Sequence, residues 1–319
     1  MRAVGGPGRW VWGLSGLATA AVLLVPGVRL LTAAGAPWHR QPAPNTVVRS
    51  LTVPEHVTSL DVQSYGGLVK VAAGPVSRAE VIETISYVKQ DGGLPAVVQS
   101  VSAGRLTLAD PACATSDCTV GFAVTMPAGI PASVTTDGGA AAVSGTAGAD
   151  VDSGGAPATA DHVDGPLTVN TDGGSLQVDG APGADIDSGG GPVTADHVDG
   201  PLTVNTDGGS LQLTATAGPL RAGTGGGPLS GQGVDAATAD VSTDGGAARI
   251  AFSAAPDTVL LSSEGGPVTL TVPGGPYALT ADSDGGPQSV GIATDPAARR
   301  SIMVTSFGGS LRIEPAPGR

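Results

Sequence analysis

Two identical hexapeptides hold the residue types best suited to proton chemistry. Ala-Asp-His-Val-Asp-Gly occurs at 160–165 and again at 195–200, which places Asp161, His162 and Asp164 in one copy and Asp196, His197 and Asp199 in the other. Carboxylates beside an imidazole are general acid/base groups, and paired carboxylates cleave glycosidic bonds on some parallel β-helices. A catalytic centre, however, needs one asymmetric constellation, whereas these hexapeptides are parts of a tandem copy. Residues 145–178 and 180–213 align over 34 positions with six differences, and every Asp, His and Asn is kept. Copying accounts for the identity without chemistry, so the expectation is solvated loop residues and no catalytic site.

Three further candidates are weaker. A run of Asp residues precedes Gly-Gly pairs: Asp137, Asp172, Asp207, Asp244 and Asp284. Stacked Asp can bind calcium in nonapeptide solenoids, but here the period is near twenty and the Asp precedes the glycines, so the expected role is turn capping. Cys113 and Cys118 lie five positions apart in a loop-like stretch. A local disulfide is expected in an oxidising compartment, with free or metal-bound thiols as the alternative; zinc would require two more ligands, and no further His or Cys is near in sequence. The four His (His39, His56, His162, His197) are too few for a metal centre of their own, and no nucleophile elbow, phosphate loop or His-Glu-x-x-His is present. No cofactor and no metal site is expected.

The elements that would carry these residues are strands. With 51 Gly, 26 Pro and 3% aromatic residues in 319, the chain lacks material for a helical core. From Thr46 onward, short β-branched or alternating runs are separated by Gly-rich turns, and the 77–89 segment also reads as strand because of its β-branched density. Past residue 128, Gly-Gly pairs recur every 16 to 23 residues. Aligned on their first Gly, seven of these pairs have Val134, Val169, Val204, Val241, Leu261, Ala281 and Val304 four positions earlier. Apolar residues also stand three and five positions later, with Gln288 the one break. Alternate residues of a strand share a face, so each pair reads as a corner flanked by two strands that send short apolar rows inward. Repetition at a fixed period, in units too small to bury their own face, predicts an all-β, right-handed parallel β-solenoid, a rod of about 50 Å for ten corners at about 4.8 Å each.

Charge and the N-terminus bound the setting. The net charge is −13, and from Leu106 to Ala298 there are 22 Asp or Glu against Arg221 and Arg249 alone. Such a surface repels phosphate backbones, which argues against nucleic-acid binding. Residues 10–31 are nearly free of charge and follow Arg2 and Arg9, long enough to approach a membrane span. The expectation is a single-pass membrane anchor with residues 1–9 cytoplasmic and the body outside the cytoplasm; a secretory signal cut near Ala34-Gly35-Ala36 is the alternative. A Pro-rich linker follows at 32–45, then an N-terminal β region with the Cys pair at 46–128, the Gly-Gly solenoid at 129–314 and a tail at 315–319.

In these features the chain resembles the bacterial putative adhesin family, a domain-of-unknown-function group of actinobacterial and firmicute envelopes. The likeness rests on a strand pair around Val57 to Val71 and on the Cys113/Cys118 pair leading into Thr119 to Gly129. Repeated Thr/Ser-x-Gly-Gly units, Val272-Pro273-Gly274-Gly275-Pro276-Tyr277 and the closing Ser306 to Ile313 complete it. The near-identical duplication and the doubled glycines depart from the family pattern. The resemblance implies a β-solenoid and adhesion without a defined ligand, and it carries over no catalytic residue. Together these readings describe a non-enzymatic envelope scaffold or binding module, with envelope glycans or proteins as partners. The alternatives are a polysaccharide-active β-helix enzyme and a passive spacer.

Overall fold

The structure, a computed structural model, describes residues 44–88, 93–115 and 117–317. The expected anchor at 10–31 lies outside the described residues, as do the tail before it and nearly all of the Pro-rich linker. Among the described residues no helix is long and apolar enough to cross a membrane.

The body is a parallel β-solenoid with two strands per coil. One strand of each coil joins a thirteen-stranded sheet and the other a fourteen-stranded sheet. The coil from Ala149 shows why these residues fold this way. In Ala149–Ser153, Ala149, Val151 and Ser153 are buried and Asp150 and Asp152 exposed; after the corner, Ala158–Asp161 buries Ala158 and Ala160. The next coil repeats the arrangement with Leu167, Val169 and Thr171 inward and Thr168 and Asn170 outward. Parallel pairing puts Val151 over Val134 and under Val169, so the core is a set of Val, Leu, Ile and Ala columns running along the axis. Two inward residues per strand suffice only because another coil covers each one.

The corners correct the expected capping. Most strands of the thirteen-stranded sheet lead into an inward Ser or Thr whose hydroxyl donates to the backbone carbonyl three residues on; after Arg105–Ala109 that place is held by Asp110, the Thr136 hydroxyl has no partner among the described residues, and Ser306 reaches the Gly266 carbonyl instead. Thr206 donates to Gly209 at 3.0 Å, Thr224 to Gly227 at 2.8 Å, Thr243 to Gly246 at 3.0 Å and Ser263 to Gly266 at 3.0 Å. The Asp residues that were expected to cap, Asp137, Asp172, Asp207, Asp244 and Asp284, stand one position later and are exposed. None of the side-chain hydrogen bonds among the described residues uses their carboxylates. The reason is geometric: the residue before the corner ends an inward-facing row, and the next one therefore points to water. Aligned on the hydroxyl, corners fall at 136, 153, 171, 188, 206, 224, 243, 263 and 283. Up to 283 those spacings of 17 to 20 residues are more even than the Gly-Gly count, which slips by one where the sequence is Ser-Gly-Gly or Thr-Gly-Gly; the last corner, at Ser306, follows after 23.

Both ends depart from simple stacking. At the N-terminal end, the first coil in sequence (Ser59–Ser64 and Val69–Gly74) sits inside the stack, between Ala132–Thr136 and Arg105–Ala109 in one sheet and between Ala141–Ser144 and Cys118–Pro127 in the other. Beyond it, Glu80–Tyr87 and Asn45–Thr52 continue the larger sheet antiparallel, and Val98–Ser102 does so in the smaller. Within the 77–89 segment, Glu80–Tyr87 is thus a strand, as read. Strands on both sides of residue 128 belong to the same two sheets. At the other end, the last coil (Ser301–Ser306 and Leu311–Pro315) inserts between Thr258–Ser263/Val268–Val272 and Ala278–Asp282/Gln288–Val290.

The corner of the outermost N-terminal coil has no Gly-Gly. Asp110 follows Arg105–Ala109 in the position of the corner hydroxyl, and a single 3-10 turn, Pro111–Ala114, leads into a Cys113–Cys118 disulfide with a Cα–Cα distance of 5.1 Å. The disulfide closes a turn that elsewhere is closed by hydroxyl and glycine.

The opposite corner of each coil contains a second inward column, Thr146, Val163, Ala181, Val198, Thr216 and Val234, all buried. The hydroxyls of Thr146 and Thr216 have no hydrogen-bond partner there. An unpaired hydroxyl among methyl groups costs free energy that a methyl does not. Thr216→Val is expected to raise stability by about 1 kcal/mol, read as a higher denaturation midpoint; a lower midpoint would mean that the hydroxyl has a partner in solution.

Candidate functional site

The same corner carries the two hexapeptides. Each coil turns here through a residue with positive φ: Gly145, His162, Gly180, His197, Ala215 and Gly233, at 65°, 49°, 72°, 52°, 49° and 65°. His162 and His197 occupy a place that alternate coils give to Gly, and the left-handed backbone aims both imidazoles off the edge of the solenoid. His162 Nδ1 lies 2.5 Å from Asp161 Oδ1, with the two side chains 74% and 58% exposed. His197 Nδ1 pairs across coils with Asp179 Oδ1 at 3.0 Å. The hydrogen bond that His162 Nδ1 donates to the Asp161 carboxylate, and then the charge of Asp161, raise the His162 pKa above the usual imidazole value.

The hexapeptide triplets therefore do not assemble as units. His197 takes its partner from the preceding coil instead of from Asp196, and Asp161, Asp179 and Asp196 stand in register on successive coils. Asp179 was not singled out in the sequence, although its offset of one coil from Asp161 is the signal that would find it. Proton exchange with solvent is within reach of these pairs. They sit on an exposed corner, where the described residues build no walls to hold a substrate or exclude water. Among the described residues no group of three or more His, Cys, Asp or Glu is placed to hold a metal ion.

The more extensive polar feature is the pair of outward sheet faces. On the larger sheet one column reads Thr159, Gln177, Thr194, Gln212 and Ser230 in register. On the smaller sheet two columns run side by side, Asp150, Thr168, Asp185, Thr203 and Asp152, Asn170, Asp187, Asn205. The 35-residue duplication spans two coils, so each Asp is followed by a Thr or Asn, and like charges are held about 9.6 Å apart instead of about 4.8 Å. Two open grooves lie where strands of this sheet begin. One of about 530 Å³ is bordered by Asp61, Arg105 and Asp150, and one of about 360 Å³ by Arg221 and Asp240. Arg221 Nε is 3.6 Å from Asp240 Oδ2, an exposed pair that adds little stability.

No known protein-family profile matches the sequence, and no curated protein sequence matches it. Solved structures are similar to it over most of its length at low identity. A putative adhesin from Parabacteroides merdae is 13% identical, covering 85% of this chain and 96% of that one, with a TM-score of 0.45. A putative adhesin from Bacteroides fragilis is 11% identical, covering 86% and 99%, at 0.36. A putative lipid binding protein from Parabacteroides distasonis is 11% identical, covering 84% and 96%, at 0.43.

Proposed function

We propose that this chain is a non-enzymatic, envelope-exposed scaffold that binds extended partners, envelope glycans or proteins, along its sheet faces, with residues 10–31 as its membrane anchor. The observation that supports this reading is the in-register array of outward Thr, Gln, Asn and Asp over successive coils. A linear polymer laid along the axis meets the same donors and acceptors at every coil, so weak contacts add up along its length. The exposed, unwalled setting of Asp161, His162 and Asp164 supports the non-enzymatic part.

The test incubates the full chain in detergent with purified envelope glycans and with an envelope protein fraction. Retention is expected for wild type, and at least tenfold weaker retention for a variant with Thr159, Thr194 and Gln212 each changed to Glu. Release of soluble sugar from the glycans would favour a polysaccharide-active enzyme in its place. Absence of retention by either fraction would leave the passive spacer.

A further inference from the structure

Among the described residues nothing covers the C-terminal end of the solenoid, and we propose that it is a self-association surface at which a second copy of this chain stacks end to end. In the N-terminal end coil the sheets are continued by antiparallel strands, but at the other end the outermost strands, Ala278–Asp282 and Gln288–Val290, are sheet edges with a partner on one side only. Their inward positions lack a covering coil. Gln288 and Val290 occupy the columns of Leu311 and Ile313, which are buried, yet both are exposed. A cavity of about 660 Å³ opens here, lined in part by Leu260, Leu279, Ala281, Val290 and Met303. Exposed large apolar side chains gather at the two ends of the stack, with Val48, Tyr65, Leu68, Ile82 and Val98 on the N-terminal coils. Among the described residues no large hydrophobic is exposed between Val98 and Leu260, whereas Leu260, Val290, Met303 and Phe307 are exposed on the last coils.

Both the shape and the chemistry of this end select another coil of the same kind. Everywhere else in the body such an end is covered by a two-strand coil that extends both sheets and both apolar columns at once. A second copy approaching with the same end, related by a twofold axis, supplies that geometry and closes as a dimer. Ala278 N–H donates to Arg300 of the neighbouring strand, so the N–H and C=O groups of Leu279 and Ala281 face the free edge. Antiparallel pairing centred on Thr280 sets Leu279 opposite Ala281 of the second copy on both sides, with the Gln288 amide displaced from the Ala281 carbonyl that it now holds at 3.4 Å. The pairing stops at Tyr277, whose edge is already bridged by Thr294.

Charge is compatible with this arrangement. Asp282 of each copy arrives at the Ala278 end of the other, near Arg300, which immediately precedes the strand Ser301–Ser306 and lies 3.9 Å from Asp257, and the two Asp282 carboxylates stay at opposite ends of the strand pair. The outward column Leu260, Met303, Thr280 then continues into Thr280, Met303 and Leu260 of the second copy. The end face, about 17 Å of strand across two sheets about 10 Å apart, buries on the order of 700 Å² in total with its flanks, which places the dimer in the weak, concentration-dependent class. This inference is independent of whether the faces bind a glycan.

Thr280 of the two copies would form a non-hydrogen-bonded antiparallel pair with Cα atoms about 4.5 Å apart, within the range a disulfide spans. The full chain in detergent, with its native cysteines already paired, is expected to sediment as a dimer at about 100 μM and dissociate on dilution. Thr280→Cys is expected to cross-link to a covalent dimer under mild oxidation, and Thr203→Cys, in the same outward column at mid-rod, is expected to stay monomeric. Thr280→Lys should weaken association at least tenfold with an unchanged denaturation midpoint; should it unfold instead, the cysteine cross-link still decides. A monomer at that concentration with no cross-link above the Thr203→Cys control overturns the proposal. So does cross-linking of Thr280→Cys to Val98→Cys in preference to itself, which would mark head-to-tail stacking.

Discussion

Gly209→Val is expected to destabilise the solenoid by about 3 kcal/mol, which for a body of this size lowers the thermal midpoint by about 6 to 12 °C. Gly209 is the fourth residue of the Thr206 corner, where the carbonyl accepts the corner hydroxyl. A Cβ built there stands 1.9 Å from the Gly191 carbonyl oxygen of the coil beneath, and that oxygen is backbone and cannot rotate away. The same column holds Gly67, Gly139, Gly174, Gly191, Gly227, Gly246 and Gly266, each with a carbonyl at about the same short separation. Ala156 is in this column as well, so a methyl group is accommodated where one coil has adjusted; the two further methyls of Val find no space between coils. Gly208 provides the control. It lies in the same corner, a Cβ on it meets nothing within 4 Å, and Gly208→Ala should stay within about 0.5 kcal/mol of wild type. Thermal or denaturant unfolding of the pair measures this, and equal losses at both positions would show that close coil approach is not what demands glycine.

Asp110→Asn is expected to stabilise the protein at neutral pH by about 1 to 2 kcal/mol and to flatten its acid profile. Asp110 is fully buried. Its Oδ1 accepts the Tyr65 N–H at 3.0 Å, while Oδ2 has no partner. Burial raises the carboxyl pKa above the usual Asp value, and backbone N–H groups, Tyr65 first, pull it partly back. Because the folded pKa lies above the unfolded one, the folded state holds the proton more tightly between those values. The resulting stabilisation is full below the unfolded pKa and is lost as pH rises through the folded one. Asn keeps the acceptor toward Tyr65 and carries no charge at any pH. Unfolding free energies between pH 3 and 8 should fall with rising pH in wild type more than in the variant. Parallel profiles would mean that Asp110 titrates normally.

The repeat was readable because its signal is physical at every coil. Two inward apolar residues on each strand and a turn with room for little beyond hydrogen leave a pattern of Val, Leu and Gly that needs no tertiary information. The hydroxyl ladder was less visible, since Ser and Thr before a glycine pair also suit exposed turns, and only coil stacking shows that Thr206 or Ser188 faces the core. Asp110 was invisible for the opposite reason. It sits in a segment without Gly-Gly, and its equivalence to Ser64 follows from strand register alone. The hexapeptides drew attention by composition, yet the His197–Asp179 pair joins residues from different coils, so local sequence named the wrong partner. Gln288 stood out as the one break in an apolar column, and the structure places it at the uncovered end, where a polar residue no longer meets a core.

The inserted last coil bears on how the molecule is made. A solenoid that stacked in sequence order could zip shut behind the ribosome, each coil finding its seat on the one before. Here the coil of Ser283 is synthesised before the coil of Ser306 that must lie beneath it, so its place on the stack does not exist until the final residues of the fold have emerged. The gap between Ser263 and Ser283 is filled only once residues 301–315 have joined the stack. Completion of this end therefore waits on residues 301–315, an order of assembly set by topology alone.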